Sequence, residues 1–464
     1  MKNYSLNIAI LIIFMMMLSG CGKEFLNEKP NSNIVVPDDL NDVQRMLDNI
    51  DKLNITSNLS LAQLGSDDYF ISDIEWKNLY TLTEKNSYIW SKSIYGGEQG
   101  YDWSDPFIAI YYANVALETL KTIPINENNN TLWNNLKGTA LFFRAWHYFN
   151  LIQTFTPPYD RNTENTDLGL PLREKANIND VLPRSNLKQT YEFVISDLSN
   201  ALKLLFIESP HQQYRNRPSK VAVYALMSKI ALSMYNYDLA GENANKALQI
   251  YNKLIDFNTL NRASFNPFSS PNDELILYGT MTNAPPVLYN GLNYPATQID
   301  PVLYNLYHAD DLRKVIFFST DNGVVNIKTG FSGRGFKPFS GIAVDEIILT
   351  KAECLARAGD IANSMKELNA LLVKRFKTGT FIPYTASSKE EALNLTLVER
   401  RKELVWRSVR WFDLRRLNKE GANITLKRTV NGKEYSLLPN SPNYTFPIPD
   451  EELALSGIKQ NNRN

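Results

Sequence analysis

Apolar residues recur at three- and four-residue intervals over most of the stretch from Pro106 to Leu417. This spacing puts them on one face of a helix. It predicts helices over Pro106 to Lys121, Leu132 to Phe155, Leu187 to Phe206 and Lys220 to Tyr235. The pattern continues over Ala240 to Ile250, Val344 to Ala358, Ile361 to Phe376 and Lys389 to Leu417. Breaks such as Ile123-Pro124 to Asn130 and Thr156-Pro157-Pro158 separate them. Strand-like runs are short: Glu274 to Tyr278, Val324 to Lys328, and a hairpin turning at Asn431-Gly432. The fold class is mostly α.

Two of these helix pairs share a pattern. Lys229, Asp238 and Ala240 recur at the same spacing as Lys351, Asp360 and Ala362. Asp at such a place caps a second helix, and Ala lets two helices approach closely. The pattern resembles tetratricopeptide helix hairpins, which stack into a curved scaffold.

The first residues carry a different signal. Lys2 precedes an apolar run from Ile8 to Leu18, which is shorter than the roughly 20 residues a spanning helix needs. Leu18-Ser19-Gly20-Cys21 follows and resembles a bacterial lipobox. The reading is a signal peptide over residues 1–20, a lipid anchor on Cys21 and a polar tether over 21–37. Residues 38–464 then form a single domain. Its helical scaffold occupies about 105–255 and 341–417, with a loop-rich insertion at about 256–340 and an irregular tail at 418–464. Cys354 is the other cysteine, so no disulfide framework is available and a large core must supply stability. Lys+Arg and Asp+Glu both number 49, a balance that gives no electrostatic reason to expect nucleic acid.

The insertion and the stretch from Asp67 to Trp103 are rich in aromatic and turn residues. Long irregular segments in a helical chain tend to carry function. Carboxylates accept hydrogen bonds from sugar hydroxyls, and aromatic rings stack on sugar faces. On that basis Asp67, Asp68, Tyr69, Trp76 and Tyr80 are candidate ligand contacts, followed by Tyr88 and Trp90. Tyr289, Tyr294, Tyr304 and Tyr307 are the candidates in the insertion.

Enzyme signatures are absent. The three histidines are scattered, with no helical zinc spacing, and there is no phosphate loop, nucleophile elbow or CxxC. Glu399 and Glu403 share a helical face, as do Arg410 and Asp413. These charges read as an ion-pair network pinning one helix, with Val405, Val409 and Phe412 toward the core, rather than as a pair of catalytic acids.

Several segments, in order, resemble the SusD/RagB family of Bacteroidetes outer-membrane lipoproteins. They include Cys21-Gly22-Lys23-Glu24-Phe25-Leu26, Trp103 to Leu120, Lys137 to Phe155 and Arg217-Pro218-Ser219-Lys220. The fullest match is Val398 to Leu417, VERRKELVWRSVRWFDLRRL. Arg407-Ser408 stands where the family usually has an acidic residue and glycine. The resemblance implies a SusD-like fold with tetratricopeptide-like hairpins and an irregular ligand-binding subdomain. It implies a non-enzymatic, surface-exposed lipoprotein that passes a glycan to a TonB-dependent, SusC-like transporter. Peptide or other nutrient cargo, or a transporter lid with little affinity of its own, are the alternatives. No cofactor and no metal site are implied beyond the acyl lipid on Cys21, and calcium is neither implied nor excluded.

Overall fold

The computed structural model describes residues 37–463 except 271, 290–295, 329 and 334. The signal segment, Cys21 and the tether up to residue 36 lie outside the described residues, as do Tyr294 and Arg334. Residues 39–464 form one compact unit.

Nine long helices make the frame among the described residues. They are α1 (Tyr101–Thr122), α2 (Asn130–Phe155), α3 (Leu187–Leu204), α4 (Lys220–Ser233) and α5 (Tyr237–Ile250), then α6 (Val344–Ala358), α7 (Ile361–Leu372), α8 (Lys389–Glu403) and α9 (Val409–Lys419). Most pack on a neighbour in sequence, α1 on α2, α2 on α3, α4 on α5 and α6 on α7, while α5 and α8 flank α6 and α9 packs on the short helix Ser60–Gly65. Every residue of α2 from Gly138 to Phe155 is buried, so this helix is the centre of the first layer. The described strands form four separate two-stranded sheets, and the core therefore belongs to helices. They are β1 (Tyr69–Ile71), β2 (Leu275–Leu277), β3 (Thr297–Ile299), β4 (Phe318–Asp321), β5 (Val324–Ile327), β6 (Ile342–Ala343), β7 (Leu426–Val430) and β8 (Lys433–Leu437). Asn431 and Gly432 both take positive φ, 51° and 74°, and close the β7–β8 hairpin as its sequence predicts.

Three local expectations are corrected. Helix α1 begins five residues before Pro106, because the buried side chains of Asp102 and Trp103 anchor an earlier turn and outweigh one missing N–H. In the repeated hairpins, Asp360 does cap α7, accepting from Asn363 N–H. In the first hairpin Asn236 is the cap, accepting from Leu239 N–H, and Asp238 lies inside the first turn. Ala240 is buried in the hairpin contact while Ala362 is exposed, so only the first copy uses alanine for close approach.

The third correction concerns Lys389 to Leu417, which is two helices rather than one. Trp406 and Ser408 adopt left-handed φ of 63° and 62°, which no α-helix accommodates, and the chain turns between α8 and α9. The turn seats Trp411 of α9 against the short helix Ser60–Gly65; a Cβ on Gly65 would lie 2.6 Å from the indole, so only glycine fits there.

Candidate functional site

The two aromatic-rich irregular stretches meet in β1 and β3. They pair antiparallel, Tyr69 opposite Ile299, Phe70 opposite Gln298 and Ile71 opposite Thr297. Asp300 N–H extends the ladder to Asp68 O at 2.9 Å. Alternation along β1 buries Tyr69 and Ile71 and turns Phe70 outward.

That alternation also decides the first candidates. Asp67 is held by Arg410 through both carboxylate oxygens and by Arg401 at 3.0 Å. Burial alone would raise its pKa, but these guanidiniums bring it down to about 2. Asp68 is buried, accepts from Gln63 Nε2 at 3.1 Å, and is pushed upward by burial and by the Asp67 charge. Tyr69 is buried between Tyr88 and Trp406 and donates its hydroxyl to Leu64 O at 3.0 Å. Asp68 and Tyr69 are thus interior residues with internal partners, which corrects their reading as ligand contacts, while Asp67 is partly exposed with its carboxylate held by Arg410 and Arg401. Tyr88, Trp90 and Tyr307 are interior too; Arg428 lies 3.8 Å from the Tyr88 ring centre and 4.7 Å from that of Trp90. Tyr307 donates to Lys402 O at 2.7 Å.

The remaining candidates reach solvent. Trp76 is half-buried with its indole N–H on Lys85 O, and Tyr80 is 75% exposed. Tyr304 is half-buried, with the Lys314 ammonium 4.6 Å from its ring centre. Tyr289 stacks obliquely on Phe336 at 5.1 Å, and Phe336 is 49% exposed. Lys337 Nζ reaches the Tyr289 hydroxyl at 2.7 Å and donates to Thr282 O at 2.6 Å.

Lys337 also lines a cleft of about 510 Å³ with Asp48, Ile50, Asp51, Ile55, Tyr278, Thr280 and Thr282. Asp48 is turned to Arg217, both of whose contacts measure 2.6 Å. Asp51 is exposed. The cleft therefore offers a carboxylate acceptor, hydroxyls and an ammonium donor beside a partly open ring pair. Those are the groups that recognise polyhydroxylated ligands, in a volume suited to a small one. Sequence reading found only Tyr289 of this set. Asp51 sits in the first described helical turns, and Lys337 and Phe336 in the insertion's last loop, with no local pattern linking them.

The carboxylates Glu399 and Glu403, and the buried ones beside them, are held by arginines. Glu399 and Glu403 both bind the buried Arg313, at 2.6 and 3.0 Å. Glu403 and Glu274 share Arg375, and Asp345 takes Arg407 at 2.8 Å. The close trio Glu274, Asp345 and Glu403 is thus filled by guanidinium groups, as the predicted ion-pair network requires. Within it Arg410 pairs with Asp67, and Asp413 instead takes Arg400 and Arg416. That differs from the expected Arg410–Asp413 contact because the two residues follow the turn at Ser408 and point to different neighbours. His147 Nε2 lies 2.8 Å from Leu53 O, and burial lowers its pKa to about 4. Burial pushes the Cys354 thiol up to about 12, the opposite of an activated nucleophile. Among the described residues no helix is long and apolar enough to cross a membrane.

Comparison with known proteins gives two family models. One described as starch-binding and associating with the outer membrane matches residues 24–232, and one described as the SusD family matches residues 345–463. No curated protein matches the chain. A SusD superfamily protein from Bacteroides thetaiotaomicron is 21% identical with a TM-score of 0.71, over 91% of this chain and 100% of its own. A SusD-like carbohydrate binding protein from Bacteroides vulgatus is 19% identical with a TM-score of 0.67, over 90% and 96%. Surface glycan-binding protein A from Bacteroides fluxus is 16% identical with a TM-score of 0.67, over 91% and 99%. At these identities the likeness establishes a shared fold over nearly the whole length.

Proposed function

Since this chain belongs to the SusD/RagB family, we propose that it is a lipid-anchored receptor that binds an oligosaccharide and hands it to a SusC-like, TonB-dependent transporter. Cys21 is the anchor in this reading, and the folded unit faces the cell exterior. The role is recognition without turnover. The observation that carries it is the cleft in which Asp51, Thr282 and Lys337 stand beside the Tyr289–Phe336 ring pair. Tyr80 is exposed and Trp76 and Tyr304 are half-exposed, so all three are open to a ligand. Stacking on a ring supplies affinity, and the polar groups fix orientation.

The test is a glycan screen of the chain from residue 22 onward by affinity electrophoresis and calorimetry. A saccharide whose binding weakens at least tenfold in Phe336→Ala supports the reading. Silence over plant, host and microbial glycans, or hits indifferent to every cleft substitution, would overturn it. A peptide panel run beside the glycan one tests the alternative cargo.

A further inference from the structure

Helix α1 carries Trp103, Phe107 and Tyr111 at four-residue spacing, which aligns three rings along one face. The rings emerge progressively: Trp103 is 4% exposed, Phe107 is half-buried and Tyr111 is 37% exposed. Trp103 and Phe107 lie 4.9 Å apart between ring centres. They form one wall of a groove of about 420 Å³, distinct in its residues from the cleft at Lys337.

The facing wall is the segment that carries Arg173 and Lys175, and it is fixed in place. Asn114 of α1 donates to Arg173 O at 2.9 Å and to Lys175 O at 3.3 Å. Tyr148 of α2 accepts from Arg173 N–H at 2.6 Å, and Ala176 N–H donates to Glu118 at 3.1 Å. The groove is therefore preformed, which spares a ligand the cost of ordering it.

Its electrostatics are one-sided. The charged residues lining it are Arg173, Lys175 and Glu452, two cations against one carboxylate. Glu452 already accepts from the Trp103 indole N–H at 3.2 Å. The Arg173 guanidinium donates to a backbone carbonyl, Asp180 O at 3.0 Å, and lies 5.9 Å from the Phe107 ring centre. Among the described residues neither Arg173 nor Lys175 forms an ion pair.

We propose that this groove is a second binding site, for a saccharide that carries a carboxylate, such as an oligosaccharide of hexuronic acid. The sugar face stacks on Tyr111 and Phe107, and the carboxylate meets Arg173 and Lys175. A neutral sugar would leave both cations without a counter-charge, while a carboxylate matches them. The inference rests on the reading of this chain as a glycan receptor, but it names different residues and a different ligand charge.

The experiment uses the detergent-purified, lipidated protein, titrated with polygalacturonate oligomers and, as the uncharged counterpart, with galactan oligomers. Tyr111→Ala and Lys175→Met alter side chains that reach solvent, so both variants keep the fold, and Phe336→Ala reports on the cleft. Uronate affinity should fall at least tenfold in Tyr111→Ala and in Lys175→Met, stay unchanged in Phe336→Ala, and weaken as salt screens the ion pairs. A wild-type protein that ignores uronate, or one whose uronate binding is lost only in Phe336→Ala, overturns the groove. If galactan or another neutral glycan still binds through the cleft, the groove fails alone. If uronate binds through the groove and nothing binds at the cleft, the cleft reading fails alone.

Discussion

Arg410 grips Asp67 through both carboxylate oxygens, at 2.7 and 2.9 Å, across 343 positions of the chain. The contact ties α9 to the start of the aromatic stretch before β1. Asp67→Asn should cost about 3 kcal/mol of stability, because it strands a buried guanidinium. Glycan affinity measured below the melting transition should change less than twofold. A tenfold loss of affinity with unchanged stability would return Asp67 to the binding surface.

The same carboxylate gives an acid limb to the stability curve. Its folded pKa of about 2 lies below the unfolded value of about 3.9, so its contribution is complete above the unfolded value. It is lost as pH falls toward 2, on the order of 2 kcal/mol in all. Urea midpoints between pH 5 and pH 2 should fall less steeply in Asp67→Asn than in the wild type.

Asp105 works in the opposite sense. Burial raises it to about 7, offset in part by donors from Asn283 and Asn58, with Asp102 adding to the rise and Lys52 opposing it. A raised carboxyl keeps its proton in the folded state, so the folded protein binds more protons than the unfolded one between about pH 4 and pH 7. Stability should decline as pH climbs through that window, by an amount on the order of 4 kcal/mol. Asp105→Asn keeps an acceptor for Asn283 and removes the ionisation. It should flatten the decline between pH 5 and pH 8, and an unchanged slope would mean that Asp105 is already ionised in the folded protein.

Membrane attachment has a simple readout. Cys21→Ala should move the protein out of the outer-membrane fraction, since one residue carries all of the proposed acyl chains. Retention in that fraction would require another anchor.

What the sequence revealed follows the range of the forces involved. Helix identity is set within a few turns, and Val344–Ala358 reads off the periodicity to the residue, ending where Gly359 takes a φ of 84°. Burial of Asp68 and Tyr69 is set by partners far along the chain, such as Trp406, and no local pattern encodes it. The cleft is equally illegible, since Asp51 stands near the start of the folded unit and Lys337 in a loop far along the chain. The charged run after Val398 reads as structural because so many charges on one helical stretch need opposite charges beside them, which neighbouring elements supply through residues such as Arg313, Arg375 and Asp67. Which residue takes which partner was not readable, because the left-handed turn at Trp406 and Ser408 rotates α9 relative to α8.

Ser408 shows how that turn is held. Its φ of 62° costs a residue with a Cβ about 1 kcal/mol relative to glycine, the residue the resembled family usually places there. Its hydroxyl donates to Leu59 O at 2.9 Å and its N–H to Gln63 Oε1 at 3.0 Å, so the side chain returns about 1 kcal/mol through one buried bond. Ser408→Gly relieves the backbone and loses the hydroxyl, and the two effects should nearly cancel, leaving stability within about 0.5 kcal/mol of the wild type. Ser408→Ala loses the hydroxyl and keeps the strain, so it should be destabilised by about 1–2 kcal/mol. The gap between the two variants in urea denaturation measures the backbone cost directly. If alanine and glycine prove equally stable, the left-handed conformation is not strained, and contacts made by Trp406 must hold the turn instead.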